Sequence, residues 1–424
     1  MDRFFWSPAL TALFSFSGVG LLYSISLFSS MAAISLITIF FAVVYAGLLI
    51  YYRFAWMGIP NSQFPIPNST PVICHLSTVI SVIIPARNEQ QNISRCLDSL
   101  MRQSYPKELF EILVVDDHSE DDTAEIVKKY ANQNVQLISL KDHVRDPINS
   151  YKKKAIEIAV AQAKGRLIVT TDADCLLSPD WLKTIAAFYE EKKPAFIAAP
   201  VSINCSNRFI EIFQSLDFMS LQGITGAVVS KKQMTMCNGA NMAYERAAFY
   251  EVNGFAGIDH IASGDDMLLM HKIYQRYPER VLFLKSPDAI VQTNPVRSIK
   301  EFLNQRIRWA GKANKYDDKR ILPVLLLVYL FNCLLIALPI ISIFRPGRLS
   351  SVICHLPTFH LWLILLLVKT IFELFFLFPV AKFFNKRSLL WLFPLMQPFH
   401  IIYTVIAGWL GKFGNYKWKG RQVS

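Results

Sequence analysis

The sequence predicts an α/β domain built on a mostly parallel, doubly wound sheet and flanked in the chain by transmembrane helices. Three observations carry this expectation. Short apolar strands alternate with helical stretches between Val79 and Thr171, no Asp, Glu, Lys or Arg occurs from Phe4 to Tyr52, and long apolar segments return after Ile321. With 53% hydrophobic residues over 424 positions, a disordered or purely surface-binding chain is excluded.

A bilayer core takes ~20 apolar residues per helix. Residues 1–58 therefore hold one or two spans, the two-span version running from Pro8 to Phe28 and from Met31 to Tyr52. Two crossings put Arg3 and Arg53 on one side, as the positive-inside rule favours. A linker rich in Pro, Asn and Ser occupies residues 59–77. The next stretch, residues 78–296, opens with the buried strand VISVIIP (Val79 to Pro85) and a helix from Glu89 to Gln103. FEILVV (Phe110 to Val115) leads into a helix from Asp122 to Ala131. A short strand from Val135 to Leu140, a helix from Tyr151 to Ala163 and RLIVTT (Arg166 to Thr171) follow. Strands joined by helical crossovers imply a parallel sheet, and ligands of such sheets bind beyond the carboxyl ends of the strands.

Residues 297–319 pattern as an amphipathic helix. Ile299, Phe302, Leu303, Ile307 and Ala310 form an apolar stripe, while Arg297, Lys300, Arg306, Arg308, Lys312 and Lys315 form a basic counterpart, as in a helix lying in the membrane interface. A second stretch, Phe209, Ile212, Phe213, Leu216 and Met219, reads as interfacial or core. Residues 320–424 hold two or three spans, from Ile321 to Phe344, Pro357 to Val380 and Ser388 to Gly411. Lys369 and Glu373 sit four apart within the middle one, where an ion pair or a cavity-facing site is expected. Pro394 and Pro398 interrupt the last segment, which reads as re-entrant or interfacial, keeping the basic tail (Lys412, Lys417, Lys419, Arg421) beside the catalytic domain.

The net charge of +12 suits nucleic acid and anionic membrane alike, and its distribution decides between them. Residues 297–319 carry seven basic and three acidic residues, and residues 320–424 eleven and one. The positive charge thus flanks the apolar segments, which excludes nucleic acid as partner. Seven cysteines lie scattered without C-x-x-C or Cys/His ligand spacing, so they read as buried thiols.

Acidic residues follow two of the strands directly: Asp116 and Asp117 in VVDDHSED, and Asp172 and Asp174 in TTDADC. Alternate residues of an extended segment point the same way, so both carboxylates of the D-x-D can face the crevice. Hard oxygen donors there suit Mg²⁺ or Mn²⁺ bridging to a diphosphate. The alternative is a turn that leads into the helix after Pro179.

The order of PARNE (Pro85 to Glu89), VVDDHSED, a lysine-rich helix start, TTDAD, SGDDM (Ser263 to Met267) and QRIRW (Gln305 to Trp309) resembles glycosyltransferase family 2, across about Val79 to Gly311. It is similar to the membrane-embedded branch with the D, D-x-D, D, Q-x-x-R-W signature, which includes ceramide glucosyltransferases and polysaccharide synthases. The resemblance implies the GT-A fold and a set of roles. Pro85, Arg87 and Glu89 would border the nucleotide, Asp117 would read the uracil edge, and Lys153 or Lys154 would reach the base or phosphates. The family has a Gly-Lys pair where this chain has Lys152, Lys153 and Lys154. Asp172 and Asp174 would hold ribose and metal. Asn238, Gly239, Ala240 and Asn241 would line the sugar and acceptor pocket, or form an ordinary tight turn. Asp266 matches the general base, with Asp265 adjusting or orienting it, while a helix N-cap at Ser263 is the local structural alternative. Gln305, Arg308 and Trp309 would contact the donor, Arg308 through paired hydrogen bonds to pyrophosphate and Trp309 by stacking on the sugar. Arg306 would share that work or touch lipid phosphate. His118 and His260 receive no role.

The resulting expectation is an inverting, metal-dependent transfer of a sugar from a nucleotide-sugar, a UDP-sugar by resemblance, to a membrane lipid or lipid-linked hydroxyl. The chain would be integral to a bacterial inner membrane with its catalytic domain in the cytoplasm, where donor nucleotides are. A processive polysaccharide synthase is the enzymatic alternative, and an inactive membrane scaffold the non-enzymatic one.

Overall fold

The structure is a computed structural model and describes residues 8–62, 76–144, 148–261, 264–311, 318–344, 358–413, 416–418 and 421–423. Ser263, Lys312 and Lys315, like Arg3 and most of the linker, lie outside these residues. The chain divides into two compact units, Met1–Leu49 with Leu325–Glu373 and Ile50–Val324 with Leu374–Ser424.

α1 (Pro8–Met57) is one unbroken helix. Ser29 and Ser30, where a two-span hairpin would turn, are helical, and the surrounding sequence holds no proline or glycine to end it. The two-span reading is thereby corrected to a single N-terminal helix, of which Ala33–Met57 is long and apolar enough to cross a bilayer. In order follow β1 (Ile80–Ala86), α2 (Ile93–Met101), β2 (Phe110–Asp116), α3 (Thr123–Lys128), β3 (Val135–Ser139), α4 (Tyr151–Gln162), β4 (Leu167–Thr170) and α5 (Trp181–Lys192). Next come β5 (Phe196–Ala198), β6 (Val201–Ile203), α6 (Phe209–Ser230), β7 (Met242–Glu245), α7 (Arg246–Glu251), α8 (Met267–Arg276), β8 (Val281–Phe283), β9 (Val291–Thr293) and α9 (Ile299–Ala310). Three apolar helices end the series: α10 (Ile321–Phe344), α11 (Thr358–Phe383) and α12 (Phe393–Phe413).

The main sheet has the order β3-β2-β1-β4-β7-β5-β8. Strands β1 to β4 run parallel, as the alternation of strands and helices predicts, and β7 runs against both β4 and β5. Buried on both faces, β1, β2 and β4 are near-continuous runs of Ile, Val and Leu. Helix α2 begins four residues later than its sequence pattern suggests. The amides of Asn88, Glu89 and Gln90 are spent on the side chains of Ser119, Thr123 and Asp121, so the chain turns before it coils.

In the larger unit α6 is a core helix, with Ile212, Phe213, Leu216 and Met219 all buried. Rings of Phe213, Phe302 and Tyr403 pack edge to face, joining α6, α9 and α12. At Gly411 the backbones of α12 and α9 come so close that a Cβ would lie 2.7 Å from that of Ala310. Lys285 closes the end of α1, donating to the carbonyls of Trp56 (2.9 Å) and Ile59 (3.2 Å). In the smaller unit the expected pair exists: the Lys369 ammonium meets the Glu373 carboxylate at 2.6 Å, both buried, and the Tyr45 hydroxyl donates to the same oxygen.

Gly165 leads into β4 against the backbone of β1, where an added Cβ would stand 2.4 Å from the Ser81 nitrogen. A backbone neighbour cannot swing aside as a side chain does. Gly165→Ala should cost ~2–3 kcal/mol through overpacking, read as a lower thermal midpoint of the purified protein; an unchanged midpoint would show that the strands separate freely.

Candidate active site

Beyond the carboxyl ends of β1 and β2, two loops are stitched side by side. Asn88, with φ at +53°, accepts from the Glu120 amide, Gln90 accepts from that of Asp122, and the Asp117 amide bonds to the Ala86 carbonyl. Arg87 donates to the Asp117 carbonyl (3.1 Å) and lies 3.9 Å from its carboxylate and 3.8 Å from that of Glu120. Asp117 is buried, and its carboxylate sits 3.1 Å from His118 Nδ1. Pro85, Arg87, Glu89 and Asp117, all predicted from sequence, thus share one rim, with Glu89 accepting from Asn92.

After β4 the chain carries Asp172 and Asp174 outward, and the first of them meets a lysine. Lys152 Nζ lies 2.8 Å from Asp172 Oδ1 and 3.1 Å from Asp265 Oδ2, bridging the D-x-D to the acidic pair before α8. Burial pulls this ammonium down, but the carboxylates of Asp172 and Asp265 more than offset it and hold it well above the usual lysine range. Asp174 accepts from the Thr293 hydroxyl at 3.1 Å. Burial first, then the charges of Asp172 and Glu89, push its carboxyl up to about 6.

The expectation for Lys153 and Lys154 is corrected. Lys153 is buried and spends its ammonium on the carbonyls of Ile258 and Ile261 at 2.5 and 2.7 Å, while Lys154 is exposed and pairs with Glu157 at 3.1 Å. Successive helix positions turn by ~100°, so only one of three neighbouring lysines faces the strand ends, and it is Lys152.

Asn238 to Asn241 form the tight turn. The Ala240 amide donates to Asn238 Oδ1 (2.9 Å) and that of Asn241 to the Asn238 carbonyl (3.0 Å). Asn241 is wholly buried, bonding Pro200 O, Ala289 O and the Trp181 indole, and Ala240 belongs to the core, so these two do not line a pocket. Gly239 does reach the site. A Cβ there would lie 3.1 Å from Asp265 Oδ2 and 3.3 Å from Lys152 Nζ, and its amide donates to Asp266 Oδ2 at 3.3 Å. Asp266 itself caps α8 through Met267 N (2.8 Å) and is half-buried, whereas Asp265 is buried.

On α9, Arg306 fills neither expected role. It is 5% exposed, its Nε and Nη2 lie 2.9 and 2.6 Å from Asp217 Oδ2, and its Nη1 donates to Gln305 Oε1 at 2.7 Å. Its guanidinium covers one face of Trp309 (4.3 Å), which also packs on Phe218 and the core that includes Ala173 and Cys175, so that face is closed to a sugar. Arg308 is half-buried. Thr293 and Asp217, the partners of Asp174 and Arg306, carry no motif by which sequence reasoning would find them.

Asp172 and Asp174 have the chemistry for a hard divalent cation: both are oxygen donors, and Asp174 is raised by burial first and then by the neighbouring charges of Asp172 and Glu89. Among the described residues no group of three or more His, Cys, Asp or Glu is arranged to hold a metal ion, so a cation here would complete its shell with phosphate oxygens and water.

Two family models match the chain, "Glycosyl transferase family 2" over residues 81–252 and "Glycosyl transferase family group 2" over residues 167–409. The chain is 38% identical over 112 residues to the poly(ribitol-phosphate) beta-N-acetylglucosaminyltransferase TarS of Staphylococcus aureus, covering 26% of this chain and 19% of that protein. It thus spans about a fifth of TarS. It is 24% identical over 315 residues, 72% of this chain and 92% of the relative, to the dolichyl N-acetyl-alpha-D-glucosaminyl phosphate 3-beta-D-2,3-diacetamido-2,3-dideoxy-beta-D-glucuronosyltransferase of Methanococcus voltae. The mannosyltransferase PcManGT from Pyrobaculum calidifontis, solved with GDP-Man and Mn²⁺, aligns over 87% of this chain and 99% of its own with a TM-score of 0.53 at 20% identity, which shows a shared fold.

Lys152→Met leaves Asp172 and Asp265 without their common cation. The purified variant should lose ~1–3 kcal/mol of stability after allowance for partial exposure, read as a lower thermal midpoint, and Mn²⁺ should raise that midpoint more than it raises the parent's. Equal Mn²⁺ shifts in both proteins would argue against a cation site at Asp172.

Proposed function

The chain belongs to glycosyl transferase family 2, and from that membership we propose that it is an inverting, metal-dependent transferase moving one sugar from a UDP-sugar to a lipid-linked hydroxyl. The observation that carries this reading is Lys152, which draws the D-x-D and the acidic pair of α8 to one point beside Gly239. Donor diphosphate and attacking hydroxyl would meet there.

In a single displacement the acceptor oxygen attacks the anomeric carbon as the bond to the diphosphate breaks, and the hydroxyl proton must go to a base in the same step. Asp266 takes that role. Two backbone amides orient its carboxylate, and a carboxylate has about four lone-pair sites, so a site for the proton is left. Asp265 is paired with Lys152, and its part is to hold that ammonium where the leaving diphosphate develops charge. Asp172 and Asp174 would hold Mg²⁺ or Mn²⁺, which when bound supplies further charge against the diphosphate. Arg87, Glu89 and Asp117 border the nucleotide, with Asp117 at the base edge. Gln305 and Arg308 complete the donor side from α9.

A lipid-linked acceptor is supported by the apolar helices that share the chain with this site and by the lipid-linked substrate named for the Methanococcus voltae relative. We assign the protein to a bacterial inner membrane with the sheet in the cytoplasm, where nucleotide sugars are made. α12 runs unbroken through Pro398, within a stretch (Arg387–Lys412) long and apolar enough to cross a bilayer; because it packs on α6 and α9, we assign it to the interface.

Asp266→Asn should lower turnover by at least ~10²-fold with little change in donor KM, measured as sugar transfer from a panel of nucleotide sugars in purified membranes. Turnover equal to the parent's would refute Asp266 as base. EDTA should abolish transfer and Mn²⁺ or Mg²⁺ restore it, so full activity in EDTA refutes the metal assignment.

A further inference from the structure

Asp217 lies in the middle of α6, with its side chain 4% exposed. One carboxylate oxygen accepts two hydrogen bonds from Arg306 of α9, and the other accepts from the Tyr403 hydroxyl of α12, with His400 Nε2 3.9 Å away. Three helices are thus held by one buried carboxylate. Arg306 is further confined between the rings of Phe302 (4.5 Å) and Trp309 (4.3 Å) and holds Gln305 by its remaining terminal nitrogen.

Helix geometry gives this clamp a direction. Arg306 and Arg308 are two positions apart, ~200° around the axis, while Gln305, Arg308 and Trp309 stand at i, i+3 and i+4 on one face. Burying Arg306 against Asp217 therefore fixes the rotation of α9 about its own axis: it turns Arg308 to the other side, while Gln305 is held by the guanidinium and Trp309 packs beneath it. A guanidinium deprived of its carboxylate cannot stay where it is, because an unpaired buried charge is too costly. Rotation of α9 is the available relief.

We propose that Asp217 is a positioning residue for the Gln305 to Trp309 segment, and that Tyr403 of α12 adjusts donor affinity through it. The proposal rests on the transferase reading above, in which that segment contacts the donor. Asp217 touches no substrate itself and acts only through Arg306. Because Tyr403 belongs to an apolar helix assigned to the interface, the state of the surrounding lipid then reaches the donor site through a single carboxylate.

The test is equilibrium binding of UDP, GDP, CDP and dTDP, each with Mn²⁺, to the purified full chain in nanodiscs. Kd is compared for the parent, Asp217→Asn and Tyr403→Phe, with thermal midpoints measured alongside. A merely structural role would lower the midpoint and leave the Kd of the folded fraction unchanged. Positioning predicts a Kd for the bound diphosphate weakened ~10-fold or more by Asp217→Asn and ~3-fold by Tyr403→Phe. Should Asp217→Asn not fold, Tyr403→Phe decides alone, since it keeps the ring and loses only the hydroxyl. A parental Kd in every folded variant overturns the proposal and leaves the transferase reading intact. A parent that binds none of these diphosphates overturns both.

Discussion

One ammonium group between two carboxylates organises the mouth of this sheet. Asp172, Asp174, Glu89 and Asp265 converge there, and like charges brought together must find a counter-charge or take up protons. Lys152 supplies that charge from the first turn of α4, reaching Asp172 and Asp265 together. Much of the local structure follows from the need to let it through. Position 239 is glycine because a side chain would press on the contact, and the β4 end is tied to it through the Thr170 hydroxyl, which donates to the Gly239 carbonyl at 3.0 Å. On the proposed function the same ammonium would also face the diphosphate, so carboxylate balance and anion capture would draw on a single group.

What the sequence shows of this arrangement depends on how local the signal is. The strands are legible because β1, β2 and β4 are runs of Ile, Val and Leu, and after β2 and β4 the carboxylates follow at once. The lysine is not, since three in a row differ only in the helix face they occupy, and the face is set by what packs beneath α4. Lys153 illustrates the hazard: the most buried of the three serves the Ile258 and Ile261 carbonyls and not the crevice. Arg306 and Asn241 fail for the same reason. Each stands in a motif, yet each is consumed by partners far along the chain, Asp217 and the Pro200 and Ala289 carbonyls, which no local spacing reveals.

The apolar segments teach the complementary lesson. Pairing of Lys369 with Glu373 was readable from an i,i+4 spacing within a long apolar helix, because two charges there have few other options. The number of N-terminal spans was not. An uncharged run long enough for two helices has the composition of one long helix as well, and only a breaking residue would have separated them; the run has none where it was needed, and α1 passes through.

The two stitched loops above β1 and β2 have a thermodynamic consequence. Asn88 and His118 both stand at φ of +53°, a region side chains other than glycine seldom occupy, and side-chain bonds from Ser119, Asp121 and Thr123 hold the neighbouring amides. Fixing one residue's backbone costs ~1–2 kcal/mol in conformational entropy. Here that cost falls on folding. On the proposed function, a nucleotide arriving at this rim would meet a loop already in order, so more of its contact energy would remain for affinity and less would be lost to arranging the receptor.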